Sequence, residues 1–107
     1  MRVQVTERHC EVPEDVRART ESQVLALAKY ESRATAADVI FSDEKHARKV
    51  EMLVHIDGAE PVAAHGEGGE FRAALAEGIE RVSRMLRKQH QRRRDHKAPP
   101  LSEFVAE

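Results

Sequence analysis

The side chains best placed to do chemistry in this chain of 107 residues are cations, and they are gathered in its last third. Positions 71–97 carry nine Lys/Arg (Arg72, Arg81, Arg84, Arg87, Lys88, Arg92, Arg93, Arg94 and Lys97) against the three acids Glu77, Glu80 and Asp95. Positions 1–70 carry nine basic and fourteen acidic residues, so the formal net charge of −1 conceals a strongly polarised chain. Guanidinium and ammonium groups concentrated on one segment suit a polyanionic partner, whose phosphates they neutralise with release of counterions. Two or three cations near a helix C-terminus would only complement its dipole. Nine, with the rest of the chain acidic, exceed that need and point to nucleic acid.

Other chemistry finds little support. The six histidines (His9, His46, His55, His65, His90 and His96) include no pair at helical i, i+4 spacing, so no metal site is expected. Cys10 stands alone, without the neighbours of an activated thiol, and reads as a small core or edge residue. Gly66-Glu67-Gly68-Gly69 lacks the lysine and hydroxyl of a phosphate-binding loop and reads as a flexible connector. No nucleophile and base can be paired by spacing. The chain is therefore expected to be a binding protein, not an enzyme, with no cofactor, metal or small-molecule substrate.

The elements that must position the cations follow from periodicity. Met1, Val3 and Val5 alternate with polar residues as a first strand, and Pro13-Glu14-Asp15 opens a helix whose stripe is Val16, Thr20, Val24 and Leu27, ending near Tyr30. Residues 37–42 make a second strand and 43–47 a polar hairpin loop. Val50, Met52, Val54 and Ile56 alternate as a third strand, Asp57-Gly58 marks a turn, and residues 61–66 make a fourth. Phe71, Leu75, Gly78/Ile79, Val82 and Leu86 then trace the apolar stripe of a second helix. At 100° per residue Arg81, Arg84, Lys88 and Arg92 fall within roughly 80° of one another, about 115° from that stripe. They form an expected solvent-facing ridge about 16 Å long. One domain over 1–97 with a short tail at 98–107 is expected. No apolar run reaches the ~20 residues of a membrane span, and a cytoplasmic setting is expected.

Several segments carry a more specific likeness. Thr6-Glu7-Arg8-His9, Ala37-Asp38-Val39-Ile40, Lys49-Val50-Glu51-Met52, Glu70-Phe71-Arg72-Ala73-Ala74-Leu75 and Leu86-Arg87-Lys88, in this order, resemble the ribosome hibernation promoting factor family. That family includes the ribosome-associated inhibitor and was formerly described as sigma-factor modulation protein. The resemblance implies an α+β fold, β-α-β-β-β-α, with a four-stranded sheet and two helices on one face, similar to double-stranded RNA-binding domains. It implies binding to rRNA in the decoding region of the small ribosomal subunit, blocking tRNA and mRNA and so inhibiting translation in stationary phase or stress. It implies RNA contacts from Arg81, Arg84, Arg87, Lys88 and Arg92 on the second helix, with Arg8, Arg48 and Lys49 on the strands and Lys29 at the end of the first helix. Gln23 and Ala26 stand where relatives offer lysines, so an affinity below that of fully basic relatives is expected. The chain resembles the short forms, without the C-terminal domain that pairs ribosomes, and is expected to be monomeric off the ribosome. The competing expectation is an interaction module whose basic helix binds an acidic protein or a second copy.

Overall fold

Four strands and two helices make up most of residues 1–97, the part of the chain that the computed structural model describes, with side chains described as far as Arg92. They follow in the order β1 (Arg2–Arg8), α1 (Glu14–Ala26), a 3₁₀ turn (Leu27–Lys29), β2 (Ala34–Glu44), β3 (Ala47–Ile56), β4 (Val62–Gly68) and α2 (Phe71–Lys97). The sheet runs β1-β2-β3-β4, with β1 parallel to β2 and the other pairs antiparallel. A parallel pair cannot be joined by a tight turn, and α1 supplies the crossover. The expected α+β order is the observed one. The tail at 98–107 lies outside the described residues.

One sheet face is apolar because the period of two places Ala37, Val39 and Phe41 of β2 and Val50, Met52, Val54 and Ile56 of β3 on the same side. Against it pack Val16, Val24 and Leu27 from the first helical segment and Phe71, Leu75, Val82 and Leu86 from α2. Phe41 and Phe71 meet edge to face, their centroids 5.5 Å apart at 87°. Thr20, in the α1 stripe, satisfies its buried hydroxyl by donating to the Val16 carbonyl at 2.7 Å. Glu7 braces β1 against α1: its carboxylate accepts the Val12 N–H at 2.9 Å and pairs with Arg17 at 3.0 Å. In the same first turn of α1, Asp15 pairs with Arg72 of α2 at 2.6 Å.

Two local expectations are overturned. Residues 43–47 do not form a loop: Asp43 pairs with Arg48 and Glu44 with Ala47, leaving only Lys45-His46 to turn. Polar residues can continue a ladder where the ribbon projects beyond the core, since the backbone bonds do not need a buried face. The glycine segment is likewise no flexible connector. Gly66 and Gly68 lie in β4, and Gly66 is buried beneath α2. A Cβ at Gly66 would collide with the Ala74 carbonyl oxygen and stand 2.5 Å from the Gly78 nitrogen.

That close approach makes two glycine variants differ. Gly66→Ala meets rigid helix backbone and should destabilise the fold by about 3 kcal/mol, in the range of severe overpacking. At Gly78 the added methyl meets the flexible Met52 thioether at 3.2 Å, while alanine favours the helix by about 1 kcal/mol. Gly78→Ala should therefore change stability little. Urea denaturation of both variants checks this, and equal losses would contradict the packing described. The Glu7 brace gives a second expectation. Hydrogen bonding to the Val12 N–H, ahead of the Arg17 interaction, holds the Glu7 carboxyl below its ordinary value against a smaller desolvation effect. The folded state then binds this proton less readily than the unfolded chain, so its contribution is complete above the ordinary carboxylate range and is lost as pH falls through the lowered value. Thermal midpoints of Glu7→Gln and the parent should thus converge on acidification.

Candidate nucleic-acid interface

Helix α2 has 27 residues and an estimated length of about 40 Å, and its position over β4 decides where its cations point. Leu75, Val82 and Leu86 are fully buried, which turns Arg81, Arg84, Lys88 and Arg92 outward on the side of the free β4 edge. All four are exposed. Arg81 donates to the His65 carbonyl at 2.7 Å, and one turn earlier Glu77 accepts the Glu67 N–H at 2.8 Å. Two polar groups of the edge strand are thereby satisfied by α2 side chains, which blunts an edge that could otherwise template another strand.

The ridge carries internal counterions. Arg81 pairs with Glu77 at 3.4 Å and Arg84 with Glu80 at 3.2 Å, both at i, i+4. Such exposed pairs contribute about 0–1 kcal/mol each and exchange readily for a better anion. Lys88 and Arg92 have no acidic partner among the described residues. They line a shallow groove of about 390 Å³ with Glu60, Pro61, Val62, Met85 and Gln89.

The remaining expected cations divide into two groups. Lys29 and Arg87 meet on the α1 side of the helix, where their charges lie 5.1 and 5.2 Å from the Tyr30 ring centroid. Tyr30, read in sequence merely as the end of a helix, is the ring that organises this second cationic spot. Arg8, Arg48 and Lys49 lie at the opposite end, beside the start of α2. The register aligns Arg8 with Ser42 and Ser42 with Lys49, so these two cations share the sheet face that bears no helix. Lys49 is 3.8 Å from Glu51. Arg48 points to the helix side: it donates to the Gly69 carbonyl at 3.2 Å, lies 3.6 Å from Asp43 and sits 5.4 Å from the Phe71 centroid. Those contacts seal the turn into α2. The nine residues therefore do not form one surface. Arg93, Arg94 and Lys97 continue the helix, their side chains outside the described set.

Among the described residues no three His, Cys, Asp or Glu side chains converge as a metal-binding group. The Cys10 thiol, pushed up chiefly by desolvation, lies 3.5 Å from the Phe41 carbonyl. What the arrangement offers is exposed arginines able to bind phosphate bidentately, on a helix packed against the sheet as far as Leu86.

The model of the family described as sigma 54 modulation protein / S30EA ribosomal protein matches residues 3–94. A ribosome hibernation promoting factor of Azotobacter vinelandii is 29% identical over 86 residues, spanning 80% of this chain and 79% of that one. The fold is that of a ribosomal subunit interface protein from Coxiella burnetii, with a TM-score of 0.78, 18% identity, and 85% of this chain and 99% of that one covered. It is likewise that of the Thermus thermophilus Protein Y N-terminal domain, with a TM-score of 0.73, 20% identity, and coverage of 82% and 98%.

If the ridge is the face that meets polyanions, its own acids restrain it. Glu77→Gln/Glu80→Gln keeps an acceptor for the Glu67 N–H but releases both arginines. The variant should elute from phosphocellulose at higher salt than the parent, and Lys88→Gln/Arg92→Gln at lower salt. Unchanged elution of both would place polyanion binding elsewhere.

Proposed function

This chain belongs to the sigma 54 modulation protein / S30EA ribosomal protein family, and from that footing we propose that it binds rRNA of the small ribosomal subunit through helix α2. It is a ribosome-associated hibernation protein of a non-enzymatic family. In the proposed complex it occupies the decoding region, excludes tRNA and mRNA, and holds translation idle in stationary phase or stress. The observation that carries this reading is the exposed line Arg81, Arg84, Lys88 and Arg92 along a helix fixed to the sheet. Lys29 and Arg87 add a second contact point on the other flank of that helix. Arg8 and Lys49 would reach a phosphate only from the helix-free sheet face, and Arg48 would act mainly by holding the start of α2.

Double-helical RNA is met through shape, 2′-OH and phosphate, so a charged rod needs no base-reading side chains. Blocking then follows from volume, since a domain seated where tRNA and mRNA run excludes both without chemistry. Arginines held by Glu77 and Glu80 suit selective over indiscriminate binding. A lone duplex must compete with those acids, whereas a site that engages several cations at once repays each exchange.

Co-sedimentation with ribosomal subunits tests the proposal. The parent should travel with the small subunit at low salt, and Arg81→Gln/Arg84→Gln/Lys88→Gln/Arg92→Gln should not. If about five phosphates are neutralised, affinity should drop by about two to three decades between ~50 and ~200 mM salt. Bound protein should also reduce tRNA occupancy. Self-association or protein capture that survives nuclease, with no binding to subunits, would instead support the interaction-module reading.

A further inference from the structure

Glu31 is the one charged side chain buried among the described residues, at 1% exposure, and it lies under the most basic part of the molecule. A carboxylate withdrawn from water is costly unless partnered. Its Oε2 accepts the Arg33 N–H at 2.9 Å, and its Oε1 faces α2, 3.9 Å from Nδ1 of His90. The preceding residue, Tyr30, holds Arg87 at 5.2 Å. Arg87 and His90 are three apart and so share one flank of the helix.

Location gives these contacts their weight. Leu86 is the last buried residue of α2, and no described side chain beyond it is buried. Lys88 and Arg92 thus stand on a stretch that apolar packing no longer fixes. Among the described contacts, Tyr30 and Glu31 tie that stretch to the sheet, placed there by the 3₁₀ turn and by the entry into β2, where the Glu31 N–H donates to the Ala28 carbonyl at 3.2 Å and the Glu31 carbonyl accepts from Ala34 N–H at 3.1 Å.

We propose that Glu31 is a positioning residue for the RNA-contacting half of α2, its buried carboxylate holding residues 87–92 at the angle that presents Lys88 and Arg92. The inference rests on the ribosome-binding reading. It has an unusual electrostatic sign: a negative charge within a polyanion-binding region improves binding, because it orders cations that would otherwise splay.

The test uses Glu31→Gln, which keeps the volume and an acceptor for Arg33 N–H, with Glu31→Asp as the charge-preserving rescue. His90→Gln, at a half-exposed position that should not affect folding, removes one described helix contact of Glu31 instead. Amide exchange and small-subunit co-sedimentation are measured on each. Glu31→Gln should speed exchange over 87–92 about tenfold, with 74–86 unchanged, and weaken subunit binding about tenfold, the order of a lost charge-assisted contact. Glu31→Asp should recover part of both, and His90→Gln should shift both the same way. Charge alone predicts the opposite for Glu31→Gln, since net charge rises from −1 to 0. Equal or tighter binding by Glu31→Gln, or unchanged exchange at 87–92, overturns the proposal. Absence of binding by the parent sinks the ribosome reading and the binding role together, while the exchange data separately decide whether Glu31 anchors the helix.

Discussion

Everything useful about this surface depends on how close helix α2 comes to strand β4. Gly66 has no side chain to hold the helix off, and the peptide units of Ala74 and Gly78 settle into the space a methyl would take. Gly78 in turn admits the Met52 side chain against the helix. Backbone contact at one point of a rigid rod sets its height above the sheet. At that height Glu77 and Arg81 reach the β4 edge and bond to it. Arg84, Lys88 and Arg92 follow on the same flank by helical geometry.

Much of this was legible from residue order, and the failures are instructive. Alternation exposed β3 clearly because each of Val50, Met52, Val54 and Ile56 is buried and their neighbours are not. The α2 stripe and the ridge about 115° away from it were equally visible, since both are properties of one helix. A glycine-rich run signals looseness locally, whereas Gly66 is required by helix backbone eight and twelve residues further on, at Ala74 and Gly78. Asp43 and Glu44 read as loop because ladder bonds are made by backbone, to which their polarity is nearly irrelevant. Tyr30 and Glu31 left no periodic trace: one organises Lys29 and Arg87 from different elements, and the other is buried against expectation for its type. Long-range pairings of single residues are the information that periodicity lacks.

The distribution of cations separates binding from scaffolding more finely than charge counting does. Arg48 and Arg72 are as basic as Arg84, yet Arg48 closes the turn at Gly69 and covers Phe71, and Arg72 joins the helices through Asp15. Arg17 is consumed by the Glu7 brace. A fold with so many acids outside α2 needs cations for its own struts. The unassigned surplus is what remains for a partner, and it is concentrated on the distal half of α2.

That concentration makes the proposed RNA binding compatible with an isoelectric point near 6.6. A uniformly basic domain binds any polyanion, and its affinity is spent on non-specific sites. Here the long-range field is almost cancelled, so attraction becomes strong only within about a Debye length, roughly 8 Å at physiological salt, of the ridge itself. A partner must first fit the helix and only then feel its charge. In the proposed complex Glu77 and Glu80 would give up their arginines to phosphates placed at helical spacing, so a folded RNA with several phosphates in the right positions would gain more than a random duplex. Shape would thus gate the electrostatics, and under the proposed function the acids kept beside the arginines are a source of selectivity.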